Sequence, residues 1–198
     1  MTADDARQWL LIAYRAPRQP STARVAAWRR LHRLGALYVG PSTCLLPADL
    51  ADRHALGTVA DGITGAGGSI DTFRIEAFSG DAHQALMELF NADRDAEYAE
   101  VTERAHAMVA ELDREANRGK YSFAEVEENE ADLVKLRRWA AAIGGRDRYG
   151  AVGRARAEQA ITGAERALKE FTERSVNAEQ ADGLNRSDDL DGPAAPGA

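Results

Sequence analysis

Residues 9–14 (Trp-Leu-Leu-Ile-Ala-Tyr) form an unbroken apolar run, the pattern of a central strand covered on both faces. Pro17 and Pro20 punctuate the loop that follows. Ser21 or Thr22 can cap a helix running to about Leu34 and stopped by Gly35. Residues 36–39 and 43–46 flank Gly40-Pro41-Ser42 and read as a β-hairpin. From Asp49 to about Thr64, Leu56, Val59, Ala60 and Ile63 recur on one helical stripe, and the glycines at 65, 67 and 68 end it. Residues 70–78 alternate as a fourth strand. The order β-α-β-β-α-β over residues 8–80 is that of a ferredoxin-like domain.

Beyond residue 80 the period becomes helical. Asp81 can cap a helix carrying Ala82, Ala85, Leu86, Leu89 and Phe90, and a longer one follows with Tyr98, Val101, Ala105, Met108 and Leu112 in register. Residues 117–121 break it. Ser122 and Glu125 form a capping box for a helix bearing Phe123, Val126, Leu133, Leu136, Ala140 and Ile143, stopped by Gly144-Gly145. A last helix aligns Ala157, Ile161, Ala164, Leu168 and Phe171. The expected fold class is α+β: a ferredoxin-like βαββαβ domain at 8–80, then a helical extension of about four helices at 81–178 packed on it. A disordered acidic tail is expected at 179–198, which is rich in Gly, Pro and Ala and nearly free of large apolar residues.

Composition adds a segregation of charge. The chain has 198 residues and a net charge of −7, yet residues 1–48 carry about +5 and residues 81–132 about −10. Residues 133–178 return to about +5. Seven arginines and no acidic residue lie between positions 6 and 48. A single cysteine, Cys44, excludes an internal disulfide and fits a reducing cytoplasm. Asp4 and Asp5 ahead of a short apolar run are the wrong order of charge for a signal peptide, and the run is too short to span a membrane. Cytoplasmic localisation is the expectation.

The arginines are the candidate chemistry, because a guanidinium fork grips phosphates and other oxyanions bidentately. The first group is Arg15, Arg18, Arg24, Arg29, Arg30 and Arg33; the second is Arg137, Arg138, Arg146 and Arg148. Arg29, Arg30 and Arg33 share one side of the first helix and read equally as a solvated face or a binding face. Arg24 falls towards Ala27, Trp28 and Leu31, where a charge must be paired, with Asp71 or Glu76 for instance, or must line an anion pocket near the helix N-terminus. The second group has one nearby acid, Asp147, expected to orient an arginine. Trp9, Trp28 and Trp139 each sit in an apolar pattern that predicts core.

Other chemistries lack their signatures. The histidines at 32, 54, 83 and 106 have no metal-ligand spacing, so no metal site is expected. There is no Gly-rich nucleotide loop, and Tyr14-Arg15 stands where a metal-dependent nuclease on this fold needs a carboxylate. Neither a cofactor nor an enzymatic activity is expected.

Three stretches together resemble the N-terminal domain of the ChrB chromate-resistance proteins. The first is Trp9–Tyr14 with Pro17, Pro20, Ser21, Arg24-Val25, Trp28-Arg29-Arg30-Leu31 and Leu34-Gly35-Ala36. The second is Cys44-Leu-Leu-Pro47, and the third is Leu136-Arg137-Arg138-Trp139 with Arg146-Asp147-Arg148-Tyr149-Gly150. The first stretch is also similar to PaaX-type repressors, which usually carry a preceding winged helix. The ChrB resemblance implies a chromate-responsive transcriptional regulator of efflux operons, binding promoter DNA, chromate or a sulfate-like oxyanion. It implies as well a second, C-terminal ChrB domain, here supplied by a separate polypeptide, or an accessory role without DNA. Homodimerisation is left open, and no membrane partner is expected.

Overall fold

The computed structural model describes residues 8–188 except 18, 20, 77, 78 and 120, with side chains described to residue 180. It is a mixed α+β protein, mostly helical, with one four-stranded antiparallel sheet and five helices. The strands are β1 (Gln8–Arg15), β2 (Leu37–Gly40), β3 (Thr43–Pro47) and β4 (Ser69–Glu76). The helices are α1 (Thr22–Arg33), α2 (Arg53–Gly65), α3 (Gly80–Asn117), α4 (Phe123–Gly144) and α5 (Gly153–Asp188). Among the described residues no helix is long and apolar enough to cross a membrane.

The sheet order is β2-β3-β1-β4. β1 lies centrally, with Leu11 opposite Leu45 on one side and Phe73 on the other. Because side chains alternate along a strand, its even and odd positions feed two separate cores. Leu10, Ile12 and Tyr14 meet Ala27 and Leu31 of α1 and Val59 and Ile63 of α2. Trp9 and Leu45 face the opposite way, against Phe90 of α3. There Tyr149 completes an aromatic cluster, its ring 5.7 Å from Trp9 and 5.4 Å edge-on from Phe90. The apolar run of β1 is thus explained: each of its faces has its own helical cover.

Backbone contacts divide the chain into two compact units. One comprises residues 1–96 and 143–152, the other residues 97–142 and 153–198. α3 contributes to both. In the second unit the helical stripes bury Tyr98, Val101, Ala105, Met108 and Leu112 from α3, Val126, Leu133 and Leu136 from α4, and Ala157, Ile161, Ala164, Leu168 and Phe171 from α5.

Several elements differ from the sequence pattern. The extension holds three helices among the described residues, because residues 91–97 contain no glycine or proline and α3 runs straight through them. The second helix of the sheet unit begins at Arg53, because Asp52 accepts from the N–H groups of His54 (2.8 Å) and Ala55 (3.3 Å) as its cap. Residues 48–50 ahead of it form one 3₁₀ turn. Ser21 precedes α1 without a capping side-chain bond. β4 alternates in sequence yet buries little, since it is an edge strand. Phe123 is exposed. α5 continues past Glu179 to Asp188, where the sequence pattern placed a disordered tail. No proline interrupts that stretch, and extending an existing helix costs far less than starting one. Residues 189–198 lie outside the described residues.

One buried group stands apart from the apolar core of the sheet unit. Arg94 is fully buried. Its guanidinium lies 5.1 Å from the Phe90 ring centroid, and its Nη1 donates to the Gly35 carbonyl at 3.4 Å. Gly35 has φ +87°, and a Cβ there would come within 3.0 Å of Arg94 Nη1 and 3.1 Å of Arg146 Cβ. Both conformation and space therefore require glycine. The bond also places a cation at the C-terminal end of α1, where the orphan carbonyls are.

Two expectations follow for this unit. Arg94→Ala leaves both a cavity and an unpaired carbonyl, and should cost about 3–5 kcal/mol in urea unfolding. Cys44 is fully buried, and burial pushes its thiol from 9.0 up to about 12, as burial moves Tyr149 from 10.0 up to about 12. Each group ionises more readily when unfolded, so stability is fully present below about pH 9 and falls through pH 12. A thiol-reactive probe at pH 8 should label Cys44 only after denaturant is added.

Candidate functional site

α1 packs through a narrow stripe, Ala27 and Leu31 being its buried positions. The remaining circumference carries the cations. Arg24, Arg29 and Arg33 are exposed, while Arg30 lies on the flank against α2, its Nη1 being 3.4 Å from the place a Cβ would take on Gly62. None of Arg15, Arg24, Arg29, Arg30 and Arg33 forms an ion pair among the described residues. Arg33 Nε donates to the Arg29 carbonyl at 3.3 Å, which turns that side chain back along its own helix. Arg30, His32 and Arg33 occupy the last turn, where cations oppose the negative end of the helix dipole.

The position of Arg24 corrects the sequence reading. It is exposed and pairs with neither Asp71 nor Glu76. At the start of α1 it precedes the buried stripe by a full turn, so its angular position brings no burial. Trp28 also differs from expectation, being 46% exposed. Its indole stacks on the His32 imidazole at 5.3 Å with planes 7° apart, the spacing of residues one helical turn apart. Val25 is exposed beside them. The open side of α1 thus mixes an aromatic surface with unneutralised guanidinium groups.

The other sequence candidates are dispersed. Arg15 is exposed at the end of β1, opposite Ser69 on the edge strand. Arg18 lies outside the described residues. Arg146 and Arg148 belong to the same compact unit as α1. Arg146 lies against Gly35, immediately after α1. Arg148 pairs with Asp49 and stands 5.7 Å from the Tyr149 ring centroid. Asp147 Oδ1 accepts from the N–H groups of Gly150 (3.0 Å) and Ala151 (2.9 Å), fixing the turn that follows α4.

Arg137 and Arg138 fall in the second unit. Arg137 Nη2 pairs with Glu165 at 2.6 Å, tying α4 to α5, and Arg138 is exposed. Trp139 is only partly buried, with the Arg104 guanidinium 5.5 Å from its ring centroid. Trp9 alone of the three tryptophans lies in the core as its pattern predicts.

Two structural supports escaped the sequence reading. Arg94 carries the wrong chemistry for a core position and was legible only as one charge in an acidic helix. Tyr149, next to Arg148, anchors the post-α4 segment in the aromatic cluster. Among the described residues no three His, Cys, Asp or Glu side chains gather to hold a metal ion.

Residues 24–182 fit the family model described as "Protein ChrB, N-terminal". No curated protein and no solved structure matches the chain. The matched span takes in α1 with its arginine face, the hairpin, β4 and most of the helical region. The chain belongs to the ChrB N-terminal family and so to proteins related to chromate resistance.

Proposed function

We propose that this chain is a regulatory module of chromate resistance that meets promoter DNA through the open side of α1. The observation that carries this reading is the pair Arg29 and Arg33, exposed on the side of α1 away from Leu31 and without acidic partners among the described residues, with Arg24 exposed at the start of the same helix and Trp28 half-exposed on its flank. Unneutralised guanidinium groups displace condensed counterions from a phosphate backbone, the dominant source of affinity for DNA. The flanking indole adds a flat apolar surface that packs against sugars or bases. Arg15 and Arg30 extend the positive field on the same unit.

The sheet unit is read as ferredoxin-like. Its strand order β2-β3-β1-β4, with α1 and α2 on one face, supports that reading. On it the arginine helix is held rigidly by Ala27 and Leu31, leaving its opposite side for a ligand. The module performs no catalytic step and uses no cofactor, and it works in the cytoplasm. Chromate, a dianion, is the second ligand of the same chemistry, and arginine forks suit its oxygens equally well.

Fluorescence anisotropy on DNA from the promoter of chromate-efflux genes tests the reading. Affinity should fall steeply with salt, with a log–log slope changing by about 0.9 for each phosphate contact removed. Arg24→Ala and Arg29→Ala should each flatten that slope and weaken binding to specific and random DNA alike. Absence of binding at low salt, with and without chromate, would remove DNA as the ligand. A rise in melting temperature with chromate or sulfate would then leave the oxyanion alone.

A further inference from the structure

We propose that the groove between α3 and α4 in the second compact unit is a docking seat for a basic amphipathic helix of a partner protein. This surface is separate in chemistry from the arginine face of α1 and does not depend on the DNA reading.

The groove encloses about 780 Å³. It runs from Arg104 and Trp139 at one end to Glu115 and Glu125 at the other. On α3 that distance is about three helical turns, or roughly 17 Å, a length suited to a helix and excessive for a single small ion. Its floor is apolar, made by Met108, Leu112, Leu136 and Trp139 with Phe171 from α5. Three helices around one core leave such a furrow wherever a fourth would complete a bundle.

The walls choose the sign of the occupant. Glu111, Glu115, Glu125, Glu128 and Asp132 line the groove, against Arg104 and Lys135. Some of these acids already have cations: Arg114 holds Glu111, Arg118 holds Glu115 at 2.8 Å, and Lys135 holds Asp132 at 2.8 Å. Glu125 and Glu128 have none among the described residues. Glu125 is the more telling. Ser122 Oγ accepts from its backbone N–H at 3.3 Å, but its carboxylate does not return the bond that would close a capping box. Instead Glu125 Oε2 is buried and has no hydrogen-bond partner among the described residues. A lysine or arginine on an incoming helix pairs with the exposed Glu128 while its aliphatic stem covers the apolar floor.

The polarity along the groove also sets an orientation. Carboxylates gather at the Glu115–Glu125 end, and Arg104 sits over Trp139 at the other. A docked helix therefore places its positive N-terminus at the former and its C-terminal carbonyls towards Arg104. Nucleic acid is repelled by the same walls.

The test uses the full chain and a fluorescein-labelled Leu/Lys amphipathic peptide of about 18 residues, long enough to cross the groove, with a Leu/Glu peptide of identical apolar pattern as its counterpart. The Leu/Lys peptide should bind and the Leu/Glu peptide should not. Two double variants change charge equally: Glu125→Lys with Glu128→Lys in the groove, and Glu100→Lys with Glu170→Lys outside it. The groove pair should weaken binding about tenfold or more, while the outer pair should change it by less than about twofold. Ala107→Trp fills the groove without altering charge and should abolish binding, which keeps the test decisive if the charged variant does not fold. Equal weakening by both pairs, or undiminished affinity in Ala107→Trp, would overturn the proposal.

Discussion

The sheet unit depends on one buried cation. Arg94 gives up its hydration to lie on the Phe90 ring and donate to Gly35, and water cannot replace these partners once the core has closed. That constraint fixes three things together. The chain must leave α1 through a glycine, the first turns of α3 must lie along the sheet, and Arg146 must pass close to the same glycine. The end of α1 is thereby held, and with it the direction in which its arginines point. A surface made of long, mobile side chains gains its definition from a short, rigid contact underneath.

Much of the architecture was legible because period and punctuation agree. The run from Trp9 to Tyr14 demanded two covered faces and has them. The stripes of the long helices, such as Ala157, Ile161, Ala164, Leu168 and Phe171, are the buried ones, since a three-helix core leaves little freedom in which residues face inward. Less legible was where helices start. The second helix of the sheet unit starts at Arg53 with Asp52 as its cap, whereas Asp49, where the pattern placed its start, pairs with Arg148. Residues 91–97 read as a junction merely because two apolar stripes met there, although nothing in them stops a helix. Arg24 and Trp28 were misplaced for a related reason: a helical wheel gives angle but not how wide a face the sheet covers, and two residues of α1 suffice for it. Arg94 could not be read at all, because no local pattern separates a cation destined for burial from the solvated ones around it.

Net charge is a poor guide to what such a protein meets. At physiological ionic strength a charge is felt over about 8 Å, so a ligand samples a patch rather than the total of −7. The outward side of α1 offers a cationic patch with an indole in it. The α3–α4 groove offers the opposite, carboxylates over an apolar floor. Segregation of sign along the sequence therefore gives one short chain two surfaces of opposite charge.

Chromate is a strong oxidant as well as an anion, and a protein related to chromate resistance must tolerate its company. The only thiol in this chain is on β3 at full burial and is held protonated far above neutral pH. A protonated, inaccessible sulfur is a poor electron donor. The native fold thus withholds its thiol from such a reagent.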